Sequence, residues 1–152
     1  MILDSSLLFD DKAAITASRP STNVIDTRKP NDPGIGDRNL HLVMQVTTAL
    51  AGPGGTTLQV QWQGSVDNAT WVTIVESAAF PAVAVPAGTH FLAMQIPRQS
   101  PNPATPTGLF RYFRLNYVVG GGPLTAGAVT ATIVLDVQAT ISYPKNFPTV
   151  NA

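Results

Sequence analysis

The sequence has no cysteine and few charged side chains: 12% of its 152 residues are Asp, Glu, Lys or Arg, and the formal net charge is zero. Ordinary soluble domains carry about 25% charged residues. The absence of cysteine excludes disulfides and thiolate chemistry. The absence of a cationic surplus argues against nucleic-acid binding, which depends on clustered positive charge. Because net charge keeps proteins apart, a surface with so little of it suggests a protein that works packed against other proteins.

Long apolar runs are also missing. No run approaches the roughly 18 residues of a membrane span. The first residues carry Asp4 where a signal peptide would carry lysines. We therefore expect no membrane partner and no export by a signal peptide.

The residue types that support catalysis are sparse. There are two histidines, His41 and His90, and neither has a neighbour at metal-ligand spacing. Asp32 and Asp37 share one loop, but their spacing matches no calcium loop, and turn formation explains both. We expect no enzyme activity, no metal and no cofactor.

Alternation with a period of two dominates the last third of the chain, which indicates strands with one buried and one exposed face. Before the glycine turn at 120–122, the apolar side chains Phe113, Leu115, Tyr117 and Val119 share one face, and the pattern predicts a hairpin around that turn. After the turn, every odd position from 129 to 141 is apolar: Val129, Ala131, Ile133, Leu135, Val137, Ala139 and Ile141.

Shorter strand-like runs fill the rest of the sequence, and no segment of useful length has helical periodicity. Together with the two strands around the glycine turn they make eight. The fold class predicted is therefore all-β, an eight-stranded antiparallel jelly-roll-type β-sandwich with extended N- and C-terminal arms. The shorter runs cover residues 13–18, 22–26, 40–48, 57–63, 71–76 and 90–96.

We predict one sandwich domain at 13–141, an N-terminal arm at 1–12 and a C-terminal arm at 142–152. Alternation places Thr132 on the exposed face of the last strand. The predicted core contains Leu58, Val60, Trp62, Leu115, Tyr117, Ile133 and Leu135.

The two arms are the predicted partner-binding segments. The N-terminal residues are too apolar for a solvated tail, and the prolines of the C-terminal arm leave it little conformational freedom to lose on docking. The candidate partner-binding residues are Ile2, Leu3, Leu7, Leu8, Phe9, Tyr143 and Phe147.

The last predicted strand is unusually long. Residues 128–141 would extend roughly 46 Å at about 3.3 Å per residue. Typical strands have about 5–6 residues. Either a bulge interrupts this strand, or its far end, from Val137 to Ile141, leaves its own sheet and pairs with another protomer; we predict the second.

The segment QGSVDNATWVTI at 63–74 has a second interpretation. It resembles the hairpin of galactose-binding-like and discoidin-type sandwiches, some of which bind sugars. Asp67 and Asn68 also suit a tight turn, with Trp71 packed under it. A carbohydrate-binding module on a virion or cell surface is therefore the alternative function.

Several stretches in order resemble the small jelly-roll cement (decoration) proteins of tailed bacteriophage capsids. They are MILD at the start, STNVID at 21–26, PGIGDRNLHLVMQV, TLQVQWQGSVD, RYFRLNYVVGGGPLTAG and the last strand. The resemblance spans roughly residues 1–137. The loop at 97–110 departs from it by being longer and richer in proline.

The resemblance implies a non-enzymatic homotrimer, made in the host cytoplasm, that sits on the outer surface of the virion. Its partner would be the major capsid protein, and its task would be to clamp neighbouring capsomers. Many modest contacts, made by linked protomers, would then add up to lasting attachment.

Overall fold

The computed structural model describes residues 4–28, 40–82, 85–96 and 109–135, which form ten β-strands and a 3-10 turn at Ser5–Leu7. In this part of the chain there is no helix long and apolar enough to span a membrane. The strands are β1 (Leu8–Ala14), β2 (Arg19–Pro20), β3 (Ile25–Asp26), β4 (His41–Ala51), β5 (Thr57–Ser65), β6 (Val72–Glu76), β7 (Phe80–Pro81), β8 (His90–Gln95), β9 (Tyr112–Gly120) and β10 (Ala126–Val134).

Two antiparallel sheets make up the fold. The first sheet has the order β1-β10-β4-β8. In the second sheet β5 and β9 are central; β2 and β3 both pair with β9, and β6 and β7 both pair with β5. Counting each edge pair as one interrupted strand gives two sheets of four. The chain changes sheets at most connections, as in a jelly roll. The predicted all-β sandwich is confirmed.

The core lies between the two sheets. Six of the seven predicted core residues are at most 6% exposed, because alternation on β5, β9 and β10 sends them inward. Phe9 of the first sheet packs edge-on against Trp62 of the second, with ring centroids 5.6 Å apart and planes at 84°. Such aromatic pairs add about 0.5–1.5 kcal/mol beyond the area they bury.

The end of β10 differs from the prediction. Leu135, expected in the core, is 69% exposed, because β10 ends at Val134 and the side chain lies beyond the ladder. Thr132, expected on the exposed face, is 1% exposed, and its Oγ1 donates to the Leu7 carbonyl oxygen over 3.1 Å. The 3-10 turn at Ser5–Leu7 lies against β10, so the outward side of β10 is also covered here.

The predicted hairpin around the glycine turn is wrong. β9 belongs to the second sheet and β10 to the first, so the turn carries the chain across the sandwich. Gly121 has φ +73°, and a Cβ there would lie 2.2 Å from the Gly55 carbonyl oxygen. Alternation identifies both strands, but it does not reveal whether they hydrogen-bond to each other.

The N-terminal boundary also needs correction. The sequence predicts an arm at 1–12 and a strand at 13–18. Instead, one strand, β1, runs from Leu8 to Ala14 along β10. The register shifts twice within β1, and Lys12 has φ +49°. Bulges of this kind destroy the period of two, which is why alternation missed the strand.

Candidate interaction surfaces

The structure separates the predicted partner-binding residues of the N-terminus. Phe9 is fully buried in the core, so its assignment to a partner-binding arm is wrong. Leu7 is half-buried and packs against the core, and Leu8 is half-buried at the start of β1. Ile2, Leu3, Tyr143 and Phe147 lie outside the described residues, as do the C-terminal arm and the predicted crossing of 137–141 to another protomer.

The outer face of the first sheet carries an aliphatic patch beside polar positions of β4 and β10. One row crosses all four strands, because Leu8 pairs with Thr132, Thr132 with Val43, and Val43 with Ala93. Val134 lies one row further along β10, on the same side. We call Leu8, Val43, Ala93 and Val134 the aliphatic face. Val43 and Val134 are only 2% and 7% exposed although they point away from the core.

The outer face of the second sheet consists mainly of amide side chains, and we call Gln59, Gln61, Gln63, Arg114 and Asn116 the amide face. The Oε1 of Gln61 accepts from Asn116 Nδ2 over 2.8 Å and from Gln63 Nε2 over 3.3 Å. Because an amide both donates and accepts, neighbouring strands are joined without any charge. The amide face is therefore a fixed polar surface rather than a set of mobile side chains.

The outer edges of the amide face extend this network. Gln63 Nε2 also reaches Thr73 Oγ1 at 3.3 Å, and Gln61 Nε2 donates to Glu76 Oε2 over 3.2 Å. Both acceptors are on β6, the edge strand. The network thus spans β9, β5 and β6.

Arg114 is held on the amide face by two contacts. Its Nε donates to Gln63 Oε1 over 2.8 Å, and its guanidinium carbon lies 4.1 Å from the centroid of the Trp71 ring. Desolvation lowers the pKa of Arg114, but a guanidinium stays charged in proteins. Within the part of the chain that the structure describes, no carboxylate lies within ion-pair distance of it.

A buried acidic residue, Asp10, ties the two sheets together. Its Oδ1 accepts from Thr22 Oγ1 over 2.6 Å and from Arg19, and its Oδ2 accepts from Tyr117 Oη over 2.7 Å. β1 is thereby linked to β2 and β9 of the opposite sheet. Burial, and then the charge of Asp10, raise the pKa of Tyr117 well above its usual value. The sequence carries no local signal for this role of Asp10.

A second ion pair fastens the end of the second sheet. Arg111 donates from Nε and Nη2 to the two carboxylate oxygens of Asp26 over 2.7 and 2.8 Å. The hydrogen bond from Arg111 is the main reason that the pKa of Asp26 falls to about 2. The charge of Arg111 is therefore already matched within the chain.

The QGSVDNATW segment is explained by its turn. Asp67 Oδ1 accepts from the amide nitrogens of Thr70 and Ala69 over 2.8 and 2.9 Å, which lowers the pKa of Asp67 to about 2. Gly64 allows close packing, since a Cβ there would lie 2.5 Å from the Phe110 ring. Trp71 contacts Arg114 on the outer face. The sequence pattern instead predicts that Trp71 packs under the turn.

No group of three potential metal ligands occurs in residues 4–28, 40–82, 85–96 and 109–135. A shallow pocket of roughly 280 Å³ lies beside β1, between Ser5, Asp11 and Asn23. It also borders Asp10, whose two oxygens are both occupied by hydrogen bonds. We therefore consider the outer faces of the two sheets as candidate surfaces for a partner.

Sheet order and core define the protein as a jelly-roll β-sandwich. The model of the Bbp16 family matches residues 9–133, and the chain belongs to this family. The match begins at the first buried residue of β1 and ends one residue before β10 does, so it covers the sandwich. No curated protein matches the chain.

Proposed function

We propose that this protein is a non-enzymatic structural component of a tailed-phage virion. It binds the outside of the assembled capsid and clamps neighbouring capsomers, with the major capsid protein as its partner. The observation that carries the proposal is the amide face, a nearly uncharged outer surface whose side chains are held by hydrogen bonds to one another. Such surfaces resist association weakly and suit permanent packing against protein.

The homotrimer and the position on the outer capsid surface come from the resemblance to capsid cement proteins. Buried area of about 1,200 Å² or more per pair would suit a stable interface. Linked protomers then turn modest individual contacts into lasting attachment through effective concentration. Production in the host cytoplasm agrees with a fold that needs no disulfide.

The test is to mix the purified full-length protein with empty shells of the phage that encodes it. Co-sedimentation measures binding, and electron microscopy of the mixture shows where the protein sits. We expect added density on the outer surface and, by light scattering, a free protein of three times 16.0 kDa. Isolated capsomers are the control, because a clamp needs two neighbours. Absence of binding to intact shells would refute the proposal, and a different mass would refute the trimer alone.

The alternative is a carbohydrate-binding module. The observation that favours it is Trp71 on the same face as several amides, since sugars are bound by aromatic rings and amide groups. A sugar-dependent rise in melting temperature, screened over neutral and acidic oligosaccharides, would support it. No shift with any sugar, together with shell binding, would leave the capsid proposal alone.

A further inference from the structure

We propose that Arg114 is the anchor of a protein-docking surface on the amide face and that it receives a carboxylate from the partner. This deepens the proposed function and rests on it for the identity of the partner, the capsid shell. The inference comes from three features: how Arg114 is held, how Arg19 and Arg111 are paired, and what surrounds Arg114.

Arg114 is already ordered before any partner arrives. Its Nε is used by Gln63, and its planar face lies against Trp71, whereas its Nη atoms have no acceptor among the described residues. An arginine held in this way loses little side-chain entropy when its two Nη atoms bind a carboxylate. The paired N–H donors fit the two oxygens of a carboxylate, and such charge-assisted bonds are the strong ones.

Other arginines of the sandwich show what an intramolecular partner looks like. Arg19 is paired with Asp10 at 3.2 Å, and Arg111 with Asp26 at 2.7 Å. Both carboxylates are supplied by the chain itself. Arg114 has the same kind of ordered guanidinium but no such carboxylate in the described ranges, so its charge is available to another molecule.

The neighbourhood of Arg114 suits the centre of an interface. Gln63 beneath it is only 8% exposed, and Gln61 and Asn116 beside it are half-buried amides that hold each other in place. Interfaces are dominated by a few Trp, Tyr and Arg residues surrounded by contacts that exclude water. Trp71 and Arg114 match the first part of this description, and the neutral amides match the second.

The same contacts favour a protein carboxylate over a sugar. Sugars are bound by stacking on an open aromatic ring, but Arg114 covers one face of Trp71. The two Nη groups of Arg114 remain as positively charged donors, and the matching acceptor is an acidic group. We therefore assign the occupant as an Asp or Glu side chain, or a chain terminus, on the capsid surface.

The first test compares variants in shell co-sedimentation at low and physiological salt. Arg114→Gln removes the charge and should weaken binding at least about 30-fold, as expected when one partner of a close interfacial charge pair is truncated. Arg114→Lys keeps the positive charge but loses the paired N–H donors. Its affinity for shells should lie between those of wild type and Arg114→Gln. Lys12→Gln is the matched control: it removes one exposed cation on the opposite sheet, and the contact at Lys12 comes from its backbone nitrogen. If wild type binds shells and Arg114→Gln binds them as strongly as Lys12→Gln does, the inference is overturned. The proposed function would still stand.

The second test needs neither shells nor a variant that must fold. In nitrogen-15 NMR spectra of the full-length protein, the Arg114 Nε and Trp71 indole signals are followed during titration with poly-L-glutamate, poly-L-lysine and neutral dextran. We expect poly-L-glutamate alone to shift them, with the shift reduced by salt. A shift with dextran, or none with poly-L-glutamate, would overturn the inference. Poly-L-glutamate binding without any shell binding would support it while refuting the proposed function.

Discussion

The amide face and the aliphatic face lie on the two outer surfaces of one sandwich and are built by the same alternation, but one is a hydrogen-bonded polar network and the other an apolar patch. The amide face is held by side-chain hydrogen bonds and leaves Gln61, Arg114 and Asn116 partly exposed. On the aliphatic face, Val43 is almost fully buried within its own chain. The sandwich therefore presents one fixed polar surface and shields much of the other. This difference is why we assign partner binding to the amide face.

Both faces depend on the link between the sheets, so removing Asp10 should have the largest effect. Asp10→Ala leaves the Thr22 and Tyr117 hydroxyls without their acceptor and Arg19 without its carboxylate, although Arg19 keeps the carbonyl oxygens of Ala14 and Pro20. Removing one partner of a buried ion pair costs about 3–5 kcal/mol. We expect the free energy of unfolding, measured with urea, to fall by this amount. Asp11→Ala, next to it but exposed, should change stability by less than about 0.5 kcal/mol. Equal effects of the two would show that the network does not connect the sheets.

A matched pair of substitutions tests the contrast between the faces directly. Val43→Thr adds a hydroxyl on the aliphatic face and should destabilise by about 1–3 kcal/mol, because a buried polar group without a partner is costly. Thr73→Val makes the reverse change beside the amide face. It should cost no more than about 0.5 kcal/mol of stability, since Thr73 is exposed and Gln63 keeps its hydrogen bond to Gln61. Thermal melts measure both. A larger loss for Thr73→Val would mean that the two outer faces are assigned the wrong way round.

The end of β10 provides a third comparison within the first sheet. Thr132→Ala removes a buried hydroxyl that donates to Leu7, and we expect a loss of about 1 kcal/mol. Leu135→Ala, at an exposed position, should change stability by no more than about 0.5 kcal/mol. Alternation alone predicts the reverse order. Chemical unfolding of the two variants therefore distinguishes the observed register from the one expected from the sequence.

The smallest effect concerns the pH dependence of stability, through the exposed carboxylates of Asp26 on β3 and Asp67 in the turn after β5. The pKa values of Asp26 and Asp67 are lowered to about 2 from an ordinary 3.8. A depressed folded-state pKa gives stability that is present above pH 4 and is lost as the pH falls toward 2. Asp67→Asn should flatten this loss, whereas pH changes between 5 and 7 should leave the contribution of these two residues unchanged. A variant as acid-sensitive as wild type would contradict the role of Asp67 in the turn.

Alternation in the sequence was sufficient to predict the sandwich, because apolar side chains at every second position are buried wherever the strand is regular. Leu58, Val60 and Trp62 on β5 and Leu115 and Tyr117 on β9 follow it without exception. The low content of charged residues likewise predicted a surface with little charge. These features depend on neighbours along the chain, so the sequence alone determined them.

The tertiary structure decided what depends on residues distant in sequence. Bulges in β1 brought Phe9 into the core and buried Asp10 opposite Tyr117, 107 positions away. Strand order turned an expected hairpin into a crossing between sheets, and the 3-10 turn at Ser5–Leu7 covered Thr132. Arg114 and Trp71 lie 43 positions apart, and only the pairing of β5 with β6 and β9 puts them in contact. Sequence patterns record which side of a strand is apolar, but not which strand lies beside it.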